Sequence, residues 1–162
     1  MGYTHYFTRD KRNVGSALMF GRLALDAKEI IKQAKSEGIE ICGADGFGSP
    51  EFREAYFAFN GTCVGHLDHE SFWWQAMPVQ PDYQYEYKKG TDRENEIFEF
   101  CKTAYKPYDA VVTAVLIRAK EIYGTVVEIY SDGNWDEWRA GRDLYERVFG
   151  EVAKCPFEQV TA

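Results

Sequence analysis

Cys101, Lys102, Thr103, Lys106, Tyr108 and Asp109 form the run richest in side chains that could do chemistry in this 162-residue chain. Backbone amides left free where a strand passes into a helix, with two lysines beside them, make a cradle for a small anion. Cys101 at such a junction is a nucleophile if the helix N-terminus and Lys102 activate its thiol, and a small buried hydrophobe if they do not. The three histidines are His5, His66 and His69. His5 or His69 as base, with Asp109 or Asp132 as orienting carboxylate, would suit a hydrolase or transferase. Lys102, Thr103, Tyr108, Asp109 and Asn60 form instead a set that binds a ligand without changing it.

The elements that must position these residues are read from periodicity. Phe98 and Phe100 alternate with Glu99 and Cys101, the period of a half-buried strand. Pro107 suits the first position of a helix, Asp109 its first turn, Lys120 its last turn and Gly124 its end. The apolar run Ala110 to Ile117 is a strand by composition alone, but its length and flanks favour a buried helix. Tyr3 to Thr8 reads as a first strand with His5 on the side of Tyr3 and Phe7, where a histidine is more often a packed, hydrogen-bonded core residue than a base. In an extended strand His69 and Glu70 point to opposite faces and cannot easily share a substrate.

Leu23, Ala27, Ile30, Ile31 and Ala34 recur at helical spacing, and Gly38 closes that helix. Further strands are expected at Ile39 to Cys42, Glu54 to Asn60, Glu70 to Gln75 and Val126 to Tyr130. Ser49-Pro50-Glu51 reads as the start of a short helix. Met77 to Thr91 alternates tyrosine with polar residues, as an exposed strand or an ordered loop does. Ser131-Asp132-Gly133 makes a turn, and Asn134 with Glu137 fits a capping-box start to a final helix ending near Gly150. The order implies an α+β fold: a mixed or antiparallel sheet of about five to six strands with three main helices packed mainly on one face. One domain spans residues 1–162, with 155–162 as a loose tail.

Composition narrows the classes. A net charge of −7 argues against non-specific nucleic-acid binding through a basic face. No apolar run reaches the roughly twenty residues that span a bilayer. The N-terminus resembles no secretion signal, and the four cysteines form no Cys-x-x-Cys pair, so reduced thiols in the cytoplasm of a bacterial host cell are expected. Cys63, His66, His69 and Glu70 bring metal-ligand types together, but their spacing matches no closed zinc site, and neither a metal nor a cofactor is expected. Gly43 to Pro50 is glycine-rich but lacks the ending of a P-loop. Trp73 and Trp74 must point to opposite sides of a strand, while Trp135 and Trp138 share a helix face; such rings pack a core, stack a planar ligand or meet a protein partner.

Several blocks carry a resemblance: Met1 to Phe7, Phe59-Asn60-Gly61, His69-Glu70-Ser71-Phe72, Phe100 to Ala104, Lys106-Pro107-Tyr108-Asp109, and Ser131-Asp132-Gly133 with Trp138. Together they resemble a family of small uncharacterised proteins of bacteria and their phages, a family without an established activity. Tyr105 stands where similar sequences lead one to expect arginine, which removes a cation from the candidate cradle. The function expected from these residues is a small cytosolic protein that binds, and in a phage setting sequesters, a small anionic or nucleotide-derived ligand. The alternatives are a hydrolase or transferase on a nucleotide-like substrate, and an acidic inhibitor or adaptor that meets a protein partner through exposed aromatics.

Overall fold

The alternation at the N-terminus becomes strand β1 (Thr4–Asp10), and the chain continues through α1 (Ala17–Ser36), β2 (Ile41–Cys42), β3 (Glu51–Phe52), β4 (Tyr56–Gly61) and β5 (Phe72–Gln75). It then forms α2 (Asp82–Lys88), β6 (Glu96–Lys102), α3 (Asp109–Tyr123), β7 (Val127–Ser131) and α4 (Arg139–Phe149). This is a computed structural model, and it describes residues 2–158. The fold is α+β with antiparallel pairing throughout. The strands divide between two sheets: β6-β1-β7, and β2-β4-β3 with β5 on the other side of β4.

Side-chain alternation gives β1 two different faces. His5, Phe7 and Arg9 turn inward, and Phe7 joins the sheets by packing 5.6 Å from Phe72 and 5.3 Å from Trp74. Tyr6 turns outward with its register partners Phe100 and Tyr130, which are both exposed. Helix α3 is buried along almost its whole length from Ala110 to Ala119, as expected of a helix that is apolar on every side. Helix α1 covers it with Leu23, Ala27, Ile30 and Ala34, and α4 contributes Leu144 and Tyr145. Gly141 lets α4 approach α3 closely, because a Cβ there would strike the Thr113 hydroxyl.

Local chemistry sets the element ends. Ser16 caps α1 by accepting from the Met19 N–H (3.1 Å). Asn134 and Glu137 exchange hydrogen bonds, Asn134 N–H to Glu137 Oε2 (2.8 Å) and Glu137 N–H to Asn134 Oδ1 (3.0 Å), the expected capping box. It starts a 3₁₀ turn, Asp136–Trp138, that runs directly into α4. Gly150 ends α4 with φ 69°. Around Pro107 the backbone is already turning, and regular α3 begins two positions later at Asp109.

Three expectations change. Within Met77 to Thr91 the tyrosine alternation is not a strand: α2 forms, and buried Gln84 bonds both the N–H and the C=O of Phe98, filling the edge of β6 in place of a strand. Ser49-Pro50-Glu51 does not open a helix, because pairing of Glu51 and Phe52 with β4 takes the segment. Of the expected tail, Phe157 packs 5.0 Å from Trp138 and 6.2 Å from Trp135, while residues 159–162 lie outside the described residues. Among the described residues no helix is long and apolar enough to cross a membrane.

Candidate functional site

The register of the first sheet places His5 between Cys101 on β6 and Ser131 on β7, facing the first turn of α3. His5 Nε2 lies 2.6 Å from Asp109 Oδ1, and the Thr103 hydroxyl donates to the same oxygen at 2.6 Å. On the other side of the ring, His5 Nδ1 lies 2.9 Å from Ser131 Oγ. That oxygen already accepts from Gly133 N–H (2.9 Å) and Trp138 Nε1–H (3.1 Å). With both lone pairs taken, the Ser131 proton goes to Nδ1, so the ring carries its hydrogen on Nε2 and donates it to Asp109. The result is an unbroken chain from Thr103 through Asp109 and His5 to Ser131. His5 is wholly buried, whereas Ser131 is partly exposed.

A strained turn covers one side. Ala104 and Tyr105 have φ 51° and 61°, and Lys106 N–H donates to Thr103 C=O (3.0 Å), which makes a turn whose two central residues are both left-handed. Glycine or asparagine is usual there, and each other residue type costs about 1–2 kcal/mol. Two contacts hold it: Thr103 and Ala104 N–H groups both donate to Tyr3 C=O, and the Tyr105 ring stacks on Tyr3 at 3.8 Å. The Tyr3 hydroxyl is buried against Gly133 and close enough to Ser131 for that serine to act on its ionisation, but it makes no hydrogen bond of standard geometry among the described residues. Burial first, then Asp109 and Glu137, push this phenol far above its usual range, so it remains a neutral O–H donor.

The other residues singled out in the sequence hold this end of the fold together. Asn60 is buried, donates to His69 C=O (2.9 Å) and Ser71 Oγ (3.1 Å), and accepts from His69 N–H (3.2 Å). The exposed His69 ring meets Lys102 C=O through Nδ1 at 2.9 Å and does not reach His5's chain. Buried Tyr108 donates to Glu70 C=O at 2.6 Å, and Glu70 Oε2 accepts from Lys102 N–H at 2.7 Å. Lys106 Nζ is turned to His66 C=O (2.7 Å). Asn60, Thr103 and Tyr108 thus spend their polar atoms inside the protein, which leaves the expected anion cradle without most of its donors. Asp132 accepts from Thr4 N–H and from the Tyr6 hydroxyl, both at 3.0 Å. Burial, with Glu70 and Asp109 nearby, pushes the Cys101 thiol far up, which takes it out of nucleophilic chemistry. Among the described residues no group of three or more His, Cys, Asp or Glu side chains could hold a metal ion.

Ser131 opens onto a cavity of about 410 Å³ beside the end of β7, lined also by Tyr130, Asp132, Gly133, Trp135, Glu137 and Phe157. Sequence reasoning took Ser131 for a turn residue and gave Tyr3 and Trp138 no part beside it. The available signal was the shared inward face of Tyr3 and His5, which required only a partner strand. Of the residues that carry the resemblance, Ser131 to Gly133 line the cavity, and His5, Asp109 and Trp138 join Ser131 through hydrogen bonds, while Asn60, His69 and Glu70 gather with Lys102. Comparison with family models, with curated proteins and with solved structures finds no match to this chain.

Proposed function

We propose that this protein is a small hydrolase of the acyl-transfer type, with Ser131 as nucleophile, His5 as general base and Asp109 as the carboxylate that orients and stabilises His5. The observation that carries this reading is the Ser131–His5–Asp109 chain, 2.9 and 2.6 Å, ending at a serine that lines a cavity. Such a constellation is recognised by geometry and roles rather than by order in the chain. Here the serine meets Nδ1 and the aspartate Nε2, and the imidazole can pass a proton through either nitrogen.

The steps balance without any further reactant but water. Ser131 Oγ bonds to the acyl carbon as its proton passes to His5 Nδ1, and the carbonyl electron pair moves onto the oxygen. The imidazolium so formed keeps its Nε2–H on Asp109, whose charge stabilises it. Collapse of the tetrahedral intermediate breaks the bond to the leaving group, which takes the proton from Nδ1. Water then repeats the sequence on the acyl-enzyme and returns the proton to Ser131. The buried Tyr3 hydroxyl beside Ser131 is the donor we assign to the oxyanion.

Among the described residues the four cysteines are free thiols, which suits the reducing cytoplasm of a bacterial or phage-infected cell. The sequestering reading shares the same end of the fold, but its ligand set is largely committed to internal hydrogen bonds. Hydrolysis of a panel of activated esters by the wild type and by Ser131→Ala separates the two. The expected result is turnover that falls to background in Ser131→Ala with its melting curve kept; equal rates in both proteins would refute the serine mechanism.

A further inference from the structure

We infer that the substrate is an extended peptide that adds to the free edge of β7 as a further strand and presents a backbone carbonyl to Ser131. This deepens the hydrolase reading and rests on it for cleavage; the binding of the peptide rests on the edge alone. Asp132 N–H donates to Thr4 C=O, so every second residue back along the strand, Tyr130 and then Glu128, also turns its backbone groups to β1. Those of Val127, Ile129 and Ser131 therefore point away from the sheet. Lys120 Nζ takes Val127 C=O at 2.8 Å. Among the described residues no group bonds the N–H or C=O of Ile129 or Ser131 on that side.

The opposite edge of the same sheet is closed. On β6, Gln80 donates to Glu96 C=O at 2.9 Å, Gln84 takes both backbone groups of Phe98, and Glu70 takes both of Lys102. Phe100, between two such plugs, offers an incoming strand one residue at most. Proteins block the edges that must not pair, and here the edge left open is the one that ends at the serine. A slot of about 370 Å³ runs along it, with Ile129 and Tyr130 on one side and Cys155, Pro156 and Phe157 on the other. The slot joins the Ser131 cavity, because Tyr130, Phe157 and Glu158 line both. Its outer wall does not complete the ladder: among the described residues no backbone hydrogen bond joins 151–158 to β7, and Pro156 has no N–H to give. A row of backbone donors and acceptors in a slot that leads to a nucleophile matches an extended peptide, whose own N–H and C=O groups alternate along one side. The acyl group is then a peptide carbonyl, and the amine that leaves takes its proton from His5 Nδ1.

Two measurements test the inference and keep it separable from the hydrolase reading. In the first, the benzyl thioesters of acetyl-Phe and acetyl-Ala-Ala-Ala-Phe are compared as substrates of the wild type. The expected result is about a tenfold higher kcat/KM for the longer chain, from its added backbone hydrogen bonds. N-methylation walked along that chain should remove the gain at alternate amides only, because the others point away from β7. Equal kcat/KM for the short and long thioesters, or the same loss at every amide, overturns the inference. In the second, acetyl-Ala-Ala-Ala-Phe amide is titrated into Ser131→Ala and amide hydrogen exchange is followed by nuclear magnetic resonance. Exchange of Ile129 N–H is expected to slow by about tenfold or more. Slowing there without thioester turnover by the wild type upholds the peptide edge and removes the hydrolase. Unchanged exchange of Ile129 at millimolar peptide overturns the peptide edge whatever the wild type hydrolyses. So does full protection of Ile129 before peptide is added, the sign of a second copy of the chain on this edge.

Discussion

Replacing His5 with Gln lowers kcat for an activated ester by about 10³-fold or more and leaves KM nearly unchanged, because the base acts only in the transition state. Glutamine is the informative choice. Its amide N–H₂ reaches toward Asp109 and its carbonyl toward Ser131, so the buried chain keeps its hydrogen bonds while losing its proton acceptor. Asp109→Asn has an effect of the same order, about 10³- to 10⁴-fold, since the imidazolium loses its counter-charge and the ring its fixed tautomer. Because the three residues act as one unit, the double variant is no slower than the worse single one, and additive losses would show that they act separately. Steady-state kinetics on the three proteins, with thermal melts as a control for folding, read this directly. A purely structural role for the chain predicts lower melting temperatures with kcat intact.

The second large effect falls on stability. Trp74→Ala destabilises the protein by about 3–5 kcal/mol, the range for removing a buried tryptophan. At this chain length that corresponds to a fall in Tm on the order of 10 °C. Trp74 is wholly buried, stacks on Phe7 and donates from Nε1 to the Tyr123 hydroxyl at 3.1 Å. The guanidinium of buried Arg9 lies 4.5 Å over its ring while pairing with Glu99 at 3.2 Å. Truncation leaves a cavity where the two sheets meet, an unpartnered hydroxyl and a buried cation without its aromatic face. Its neighbour Trp73 lies on the outer side of the same strand, so Trp73→Ala shifts Tm little. Thermal denaturation followed by near-ultraviolet circular dichroism separates the two; equal shifts would mean that the strand register is wrong.

The same tryptophans show what sequence can carry. Period two put the two rings on opposite sides without any partner strand in view; the 3.6 period gave α1, the length and flanks of an apolar run gave α3, and a capping box with Gly150 gave α4. Asn134 and Glu137 were legible because a capping box is local. Failure came where a local pattern had two solutions. Tyr83, Tyr85 and Tyr87 alternate as in a strand, but Gln84 gains two backbone hydrogen bonds only from a helix docked against β6. Ser49-Pro50 starts helices well in isolation, yet pairing with β4 outweighs that preference.

The site was half legible for a similar reason. His5 and Asp109 could be nominated by type, but their pairing across the fold depends on how α3 seats against β1. Ser131 enters only through the register His5↔Ser131, which no local signal fixes. Lys102 and Lys106, neighbours in sequence, suggested a pair of cations in one cradle. In space, the Lys106 side chain turns to the His66 carbonyl, while Asp132 and Glu137, from beyond β7, join Asp109 around Tyr105.

The central claim is that Ser131 is a nucleophile activated through His5. Intact-mass and peptide mass spectrometry after exposure to an alkyl fluorophosphonate test it most directly. The account predicts one adduct per chain, on Ser131, formed with loss of fluoride and suppressed in His5→Gln. No adduct, or one on another residue, contradicts it.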